Sequence, residues 1–173
     1  MAVTEKRQPW FVSGPAPELV PVRVAATQTW TAGTPVQLVD GQVKIAEDCA
    51  SGATDKSIYG FSAETIATAK TENDIVYIHR ITADQVWAMY VSNAGSDSAA
   101  AVDVVGDQYG HAVEASSPYK GYMTCDLGYT TYLSMQVVGI LSDLDTSIVA
   151  SVSTSPGVVL VRFLQAALDQ VGN

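Results

Sequence analysis

Between Thr29 and Asp48 the chain reads TWTAGTPVQLVDGQVKIAED, with apolar positions alternating on both sides of Asp40-Gly41. Asp-Gly is a two-residue turn signal, because a type I′ turn needs positive φ at both central positions. Counting outward pairs Val39 with Gln42, Leu38 with Val43, Gln37 with Lys44 and Val36 with Ile45. That register puts Val36, Leu38, Val43 and Ile45 on one core face and turns Gln37 and Lys44 toward water.

The same reading extends along the chain. SIYGFSAETIA predicts a strand with Gly60 inside it, and an interior glycine marks a bulge or a close backbone approach. DIVYIHRITADQVWAMYVSN is dense in β-branched and aromatic residues and predicts two strands joined near Thr82-Ala83-Asp84. Helical periodicity is confined to RFLQAALDQ near the end. The opening hairpin also has an echo. PVQLVDGQVKIAE from Pro35 lines up with AVDVVGDQYGHAVEA from Ala101, and IYGFSAE from Ile58 with VVGILSD from Val137. This predicts a hairpin-then-strand unit used twice. Short strands at turn-punctuated spacing give an all-β fold, a small barrel or sandwich built from hairpins, with a short C-terminal helix.

Pro9, Pro15, Pro17 and Pro21, with Gly14 among them, exclude regular helix from residues 1–21 and predict an extended N-terminal arm ahead of a β-rich domain over 22–173. Trp10 and Phe11 sit in that arm and need a surface to pack on, either their own domain or a neighbouring subunit. Lys6 and Arg7, with Arg23 just past the arm, outnumber Glu5 and Glu18, a slightly cationic stretch suited to an acidic partner.

Composition narrows the function. The 173 residues suit a single domain with an appended arm, and 47% hydrophobic with 16% charged residues excludes wholesale disorder. A formal charge of -9 opposes phosphate-backbone binding, so no nucleic-acid partner is expected. No run is long enough for a signal-peptide core or for the roughly 20 apolar residues of a membrane helix. The expectation is a soluble, unexported chain. Two cysteines, Cys49 and Cys125, lack metal-ligand spacing and read as reduced structural thiols.

Candidate chemistry is sparse. His79 and His111 lie on or near strands without a nucleophile elbow or the material for a zinc site. The acidic stretches AEDCASGATD and SDLDTS lack the regular calcium-loop pattern, and no glycine-rich phosphate loop is present. No catalytic residue, metal or cofactor is expected. Trp30, Trp87, Tyr109, Tyr119, Tyr122, Tyr129 and Tyr132 could form a sugar-stacking face, which is the alternative of a carbohydrate-binding or adhesion module. Four of the tyrosines fall within SPYKGYMTCDLGYTTYLSM, and tyrosine-dense loops favour a protein interface over sugar.

The succession TWTAGTPVQLVDGQVKIAED, then SIYGFSAE, then GVVLVRFLQAALDQ resembles the head decoration, or cement, proteins of tailed bacteriophages. In that family a W-x-x-G-x-P-V hairpin entry, an I-x-G strand and a terminal V-L-V-R-F-L strand recur in this order. The resemblance spans about Val22 to Leu168. It implies a non-enzymatic, head-stabilising virion protein on the outer capsid surface, bound to the major capsid protein and bridging capsomers. It also implies a homo-oligomer, a trimer in preference to a dimer, with no membrane partner. The contact candidates on this reading are Lys6, Arg7, Trp10, Phe11, Tyr119, Tyr122 and Tyr129.

Overall fold

The computed structural model describes residues 8–49, 57–72, 74–94, 96–98, 102–114, 121–141 and 157–168. Strands β1 (Trp10–Ser13) and β2 (Glu18–Val24) come from the proline-marked segment, separated by Gly14 and Pro15. The prolines do keep it extended, but both stretches are hydrogen-bonded into sheets rather than free. β3 (Pro35–Val39) and β4 (Gln42–Ile45) form the predicted hairpin in the predicted register, all four pairs included. Asp40 and Gly41 take φ of 50° and 76°, as the turn requires. With β5 (Gly60–Ser62) and β6 (Ile75–Arg80) these strands close a barrel in the order β2-β4-β3-β5-β6. Its core is Val24, Trp30, Val36, Val43, Ile66, Val76 and Ile78.

One feature of the hairpin departs from the alternation. Gln37 is fully buried instead of wet, because the chain after β4 folds back over it and the Glu47 amide donates to Gln37 Oε1 at 2.8 Å. Lys44 stays half-exposed and pairs with Glu47 at 3.0 Å.

The second half contains β7 (Val86–Asn93), a short β8 (Ser96–Asp97), a 3-10 turn at Val102–Val104, β9 (Gln108–Val113), β10 (Met123–Asp126), β11 (Met135–Ile140), β12 (Val158–Phe163) and the helix α1 (Gln165–Leu168). Pairing runs β7-β10-β9-β11-β12 and returns from β12 to β7, so these five strands also close on themselves. β1 adds to β7 beside β10, through Trp10↔Ala88 and Phe11↔Trp87.

The two closed sheets share one connectivity. β2 and β4 are parallel, as are β7 and β10, and every other contact around each ring is antiparallel. The repeat read from the sequence is therefore a repeat of five strands. Its IYGFSAE and VVGILSD members fall in β5 and β11, which are equivalent. Its hairpin member is misaligned. Residues 102–104 form a 3-10 turn, and the counterpart of β3–β4 is β9–β10. The Gly106-Asp107 signal resembles a hairpin turn locally but lies before β9.

A shared core joins the barrels. Phe61 of β5 stacks on Trp87 of β7 with centroids 4.7 Å apart, and Phe163 and Phe11 complete the cluster at 6.1 Å from Phe61 and 5.8 Å from Trp87. Ala46, Ile58 and Ile81 belong to the same cluster. Gln85 fixes the linker between β6 and β7: its Oε1 accepts from the Thr82 amide and the Trp87 indole, and its Nε2 donates to the Pro15 carbonyl. At the far end of β7, buried Asp126 accepts from Ser92 Oγ and from the Ala94 and Gly128 amides at 2.8–2.9 Å. This holds Ala94 at its φ of 49°.

Gly60 marks a close approach, as its strand position predicts. A Cβ there would meet the His79 carbonyl and, at 2.6 Å, the Ile78 side chain. Gly60→Ala should therefore cost about 1–3 kcal/mol, read as a fall in urea midpoint at constant m-value. An unchanged midpoint would show that β5 and β6 part without penalty.

Candidate functional site

A histidine beside a cysteine or serine can make a nucleophile. His111 lies on β9, fully buried, with Nδ1 3.2 Å from Cys49 Sγ and 3.0 Å from Ser134 Oγ. Its Nε2 lies 2.7 Å from the Glu47 carbonyl oxygen, which can only accept, so the proton sits on Nε2 and Nδ1 accepts from the thiol or hydroxyl. Burial lowers the ring pKa to about 4, partly offset by the bond to Glu47. The neutral ring has no charge with which to hold a thiolate, and Cys49 is itself buried. The cluster is a clamp. With the Cys49 amide donating to the His111 carbonyl, and the Val113 amide to Asp48 Oδ1, it fastens residues 47–49 from the first barrel onto β9 of the second.

Cys49 and Cys125 are both buried and form no disulfide, and burial pushes the Cys125 pKa far up. Burial also raises the pKa of Tyr109 and Tyr129. Among the described residues no three His, Cys, Asp or Glu side chains are grouped to hold a metal ion, and no helix is long and apolar enough to cross a membrane.

What the fold offers instead is a groove of about 540 Å³ where β1 and β7 meet the first barrel. Its lining takes Trp10, Phe11 and Trp87 from β1 and β7 and Phe61, Ala63 and His79 from the first barrel, the Phe61 and Trp87 rings being buried against each other, and Ala32 is exposed beside it. Pro9 enters the lining just before β1, and Pro17 just before β2. The groove exists because β1 crosses from the first barrel to pair with β7 of the second.

Of the sequence-predicted contact residues, Trp10 and Phe11 are brought together here. Both rings pack on their own chain: Phe11 on Trp87, and Trp10 edge-on to Tyr90 at 6.2 Å. Tyr122 and Tyr129 lie elsewhere. Tyr122 precedes β10 with its carbonyl bonded to the Glu114 amide, and Tyr129 packs where a side chain at Gly110 would clash. Lys6, Arg7 and Tyr119 lie outside the described residues. Trp30 and Trp87, named for a sugar-stacking face, are core residues at 6% and 4% exposure.

Sequence reasoning missed a second surface. β2 and β6 pair as Leu19↔His79, Pro21↔Tyr77 and Arg23↔Ile75, and these six positions point away from the barrel core. Leu19, Ile75 and Tyr77 are 53%, 52% and 48% exposed. A signal for it was present. ELVPVRV and DIVYIHR are apolar at both strand phases, which is the pattern of strands covered on both faces.

No family model, curated protein or solved structure matches this chain.

Proposed function

We propose that this chain is a structural virion protein that binds the outer surface of a mature tailed-phage capsid and cements neighbouring capsomers. The resemblance of its hairpin, glycine strand and terminal strand to decoration proteins supports the reading. The observation that carries it is the groove of about 540 Å³ between the barrels, lined by Pro9, Trp10, Phe11 and Pro17 beside the buried Phe61–Trp87 pair, an apolar surface suited to a segment of a capsid subunit. Such a protein acts by mass action. It binds the assembled shell and not its free subunits, so modest contacts repeated over many copies stabilise the head. The groove suits that task because Phe11, Phe61 and Trp87 in its lining are held by the shared core, which limits the ordering cost of binding. The rival sugar-binding reading loses both of its indoles to the core.

The test is to mix purified protein with undecorated tailed-phage heads and image the particles by electron microscopy. Discrete density on the outer surface is expected. Ala32→Arg, which fills the groove from an exposed rim position, should lower occupancy at least tenfold without changing the fold by circular dichroism. Bare heads beside folded wild-type protein would overturn the proposal, and full occupancy by Ala32→Arg would remove the groove from it.

A further inference from the structure

The shared connectivity allows a comparison of equivalent faces. β2 and β6 of the first barrel correspond to β7 and β12 of the second. In the second barrel the outward positions of that pair are Val86, Ala88, Tyr90, Val158 and Leu160, and all are buried, with Leu141 and Trp10 packed over them. In the first barrel the equivalent face is bare, yet it is as apolar by sequence. Leu19, Pro21, Ile75 and Tyr77 form a contiguous ladder in register, and every one is exposed. Isolated exposed apolar residues are ordinary, whereas a contiguous patch on strands apolar at both phases marks an interface.

We propose that the outward face of β2 and β6 is a twofold interface that binds a second copy of this chain. Charge leaves this face open to a copy: the chain carries -9 overall, yet the six outward positions hold no carboxylate, and the Arg23 cation is matched by carboxylates at the border of the face, Asp74 and the Glu64 that accepts from the Tyr77 amide. The face is also self-complementary, as an isologous contact requires. A twofold axis along the strands sets Pro21 over the partner's Tyr77. It sets Arg23 over the partner's Ile75, beside the exposed carboxylate of the partner's Asp74. Edge-to-edge strand pairing is not the mode. Val24 donates to Asp74, just before β6, and Ala25, just past β2, to Val43 of β4, so the odd positions of β2 direct their amides away from β6, and Pro21 supplies none.

Sedimentation velocity and light scattering on the purified chain test this without any capsid. The expected mass is twice the 18.3 kDa of one chain. Tyr77→Glu and Leu19→Glu, each at an exposed position that leaves the barrel core intact, should each weaken dimerisation at least a hundredfold and yield folded monomers. A wild-type monomer at 100 μM would overturn the proposal, as would a trimer or a dimer indifferent to both substitutions. If the wild type is monomeric and Tyr77→Glu abolishes capsid binding, the face belongs to the shell and the proposal fails in that form.

Discussion

Trp87→Ala is expected to lower folding stability by about 3–5 kcal/mol, the cost of deleting a fully packed indole from a core. Trp87 is the ring that both barrels touch. Phe61 reaches it from β5 of the first barrel and Phe11 from β1, while its own strand belongs to the second. The indole also donates to Gln85 Oε1 at 3.2 Å, the group that fixes the linker between the barrels. Removing it opens a cavity at their junction, a large fraction of the stability of an ordinary domain. Urea unfolding followed by far-UV circular dichroism measures the loss, with Leu133→Ala as an exposed control expected to stay within about 0.5 kcal/mol. A loss below about 1 kcal/mol would mean that the barrels do not share a core.

Acid should weaken the protein through His111. In the native state its pKa falls to about 4 because the buried ring resists charge, whereas in the unfolded chain it returns to about 6.5. The unfolded state therefore binds the proton first. The stability that neutral His111 contributes is complete above pH 6.5, declines as pH falls, and is gone below pH 4. That window is worth about 3 kcal/mol. Asp48, whose carboxyl pKa is raised chiefly by burial, acts in the opposite sense and offsets part of the loss at the acid end. Urea midpoints at pH 7.5 and 4.5 measure the change. His111→Gln, which removes the titrating group, should flatten the dependence while lowering stability at both pH values by stranding the groups around it. An equal pH dependence in wild type and variant would assign the acid sensitivity to other groups.

On the two proposals, the groove, built from both barrels, would take a segment of the shell, and the face on β2 and β6, which meets the groove at His79, would take a second copy. A dimer of this kind would carry two grooves, and linking two weak sites raises occupancy without any new contact. The clamp at His111 and the ring at Trp87 keep each groove's walls in register, which ties the two stability predictions to the decoration test.

Local chemistry was legible in the residues. The Asp40-Gly41 turn and its four cross-strand pairs follow from φ preferences and a period of two, both of which act over a few residues. The strands around Gly60, the break at Thr82-Ala83-Asp84 and the short final helix follow for the same reason. Pairing over long separations was not legible. β2 closes on β6, and β12 on β7, more than fifty residues away, and alternation shows that a strand has a core face without showing which strand it meets. Gln37 and His111 show the consequence. Each reads as an ordinary polar strand residue, and each is buried because the segment after β4 crosses over it, from Glu47 to Cys49. The sequence by itself thus determined the first hairpin and its turn, the strands around Gly60 and the Thr82-Ala83-Asp84 break, and an all-β chain, while it took β1 and β2 for a free arm and misplaced the hairpin of the second unit. Only the tertiary structure decided that the repeat is two closed barrels, that one outer face is covered while its equivalent is bare, and that a groove lies between them. Those outcomes depend on which distant apolar surfaces exclude water together, a choice made by the whole chain and by no local stretch of it.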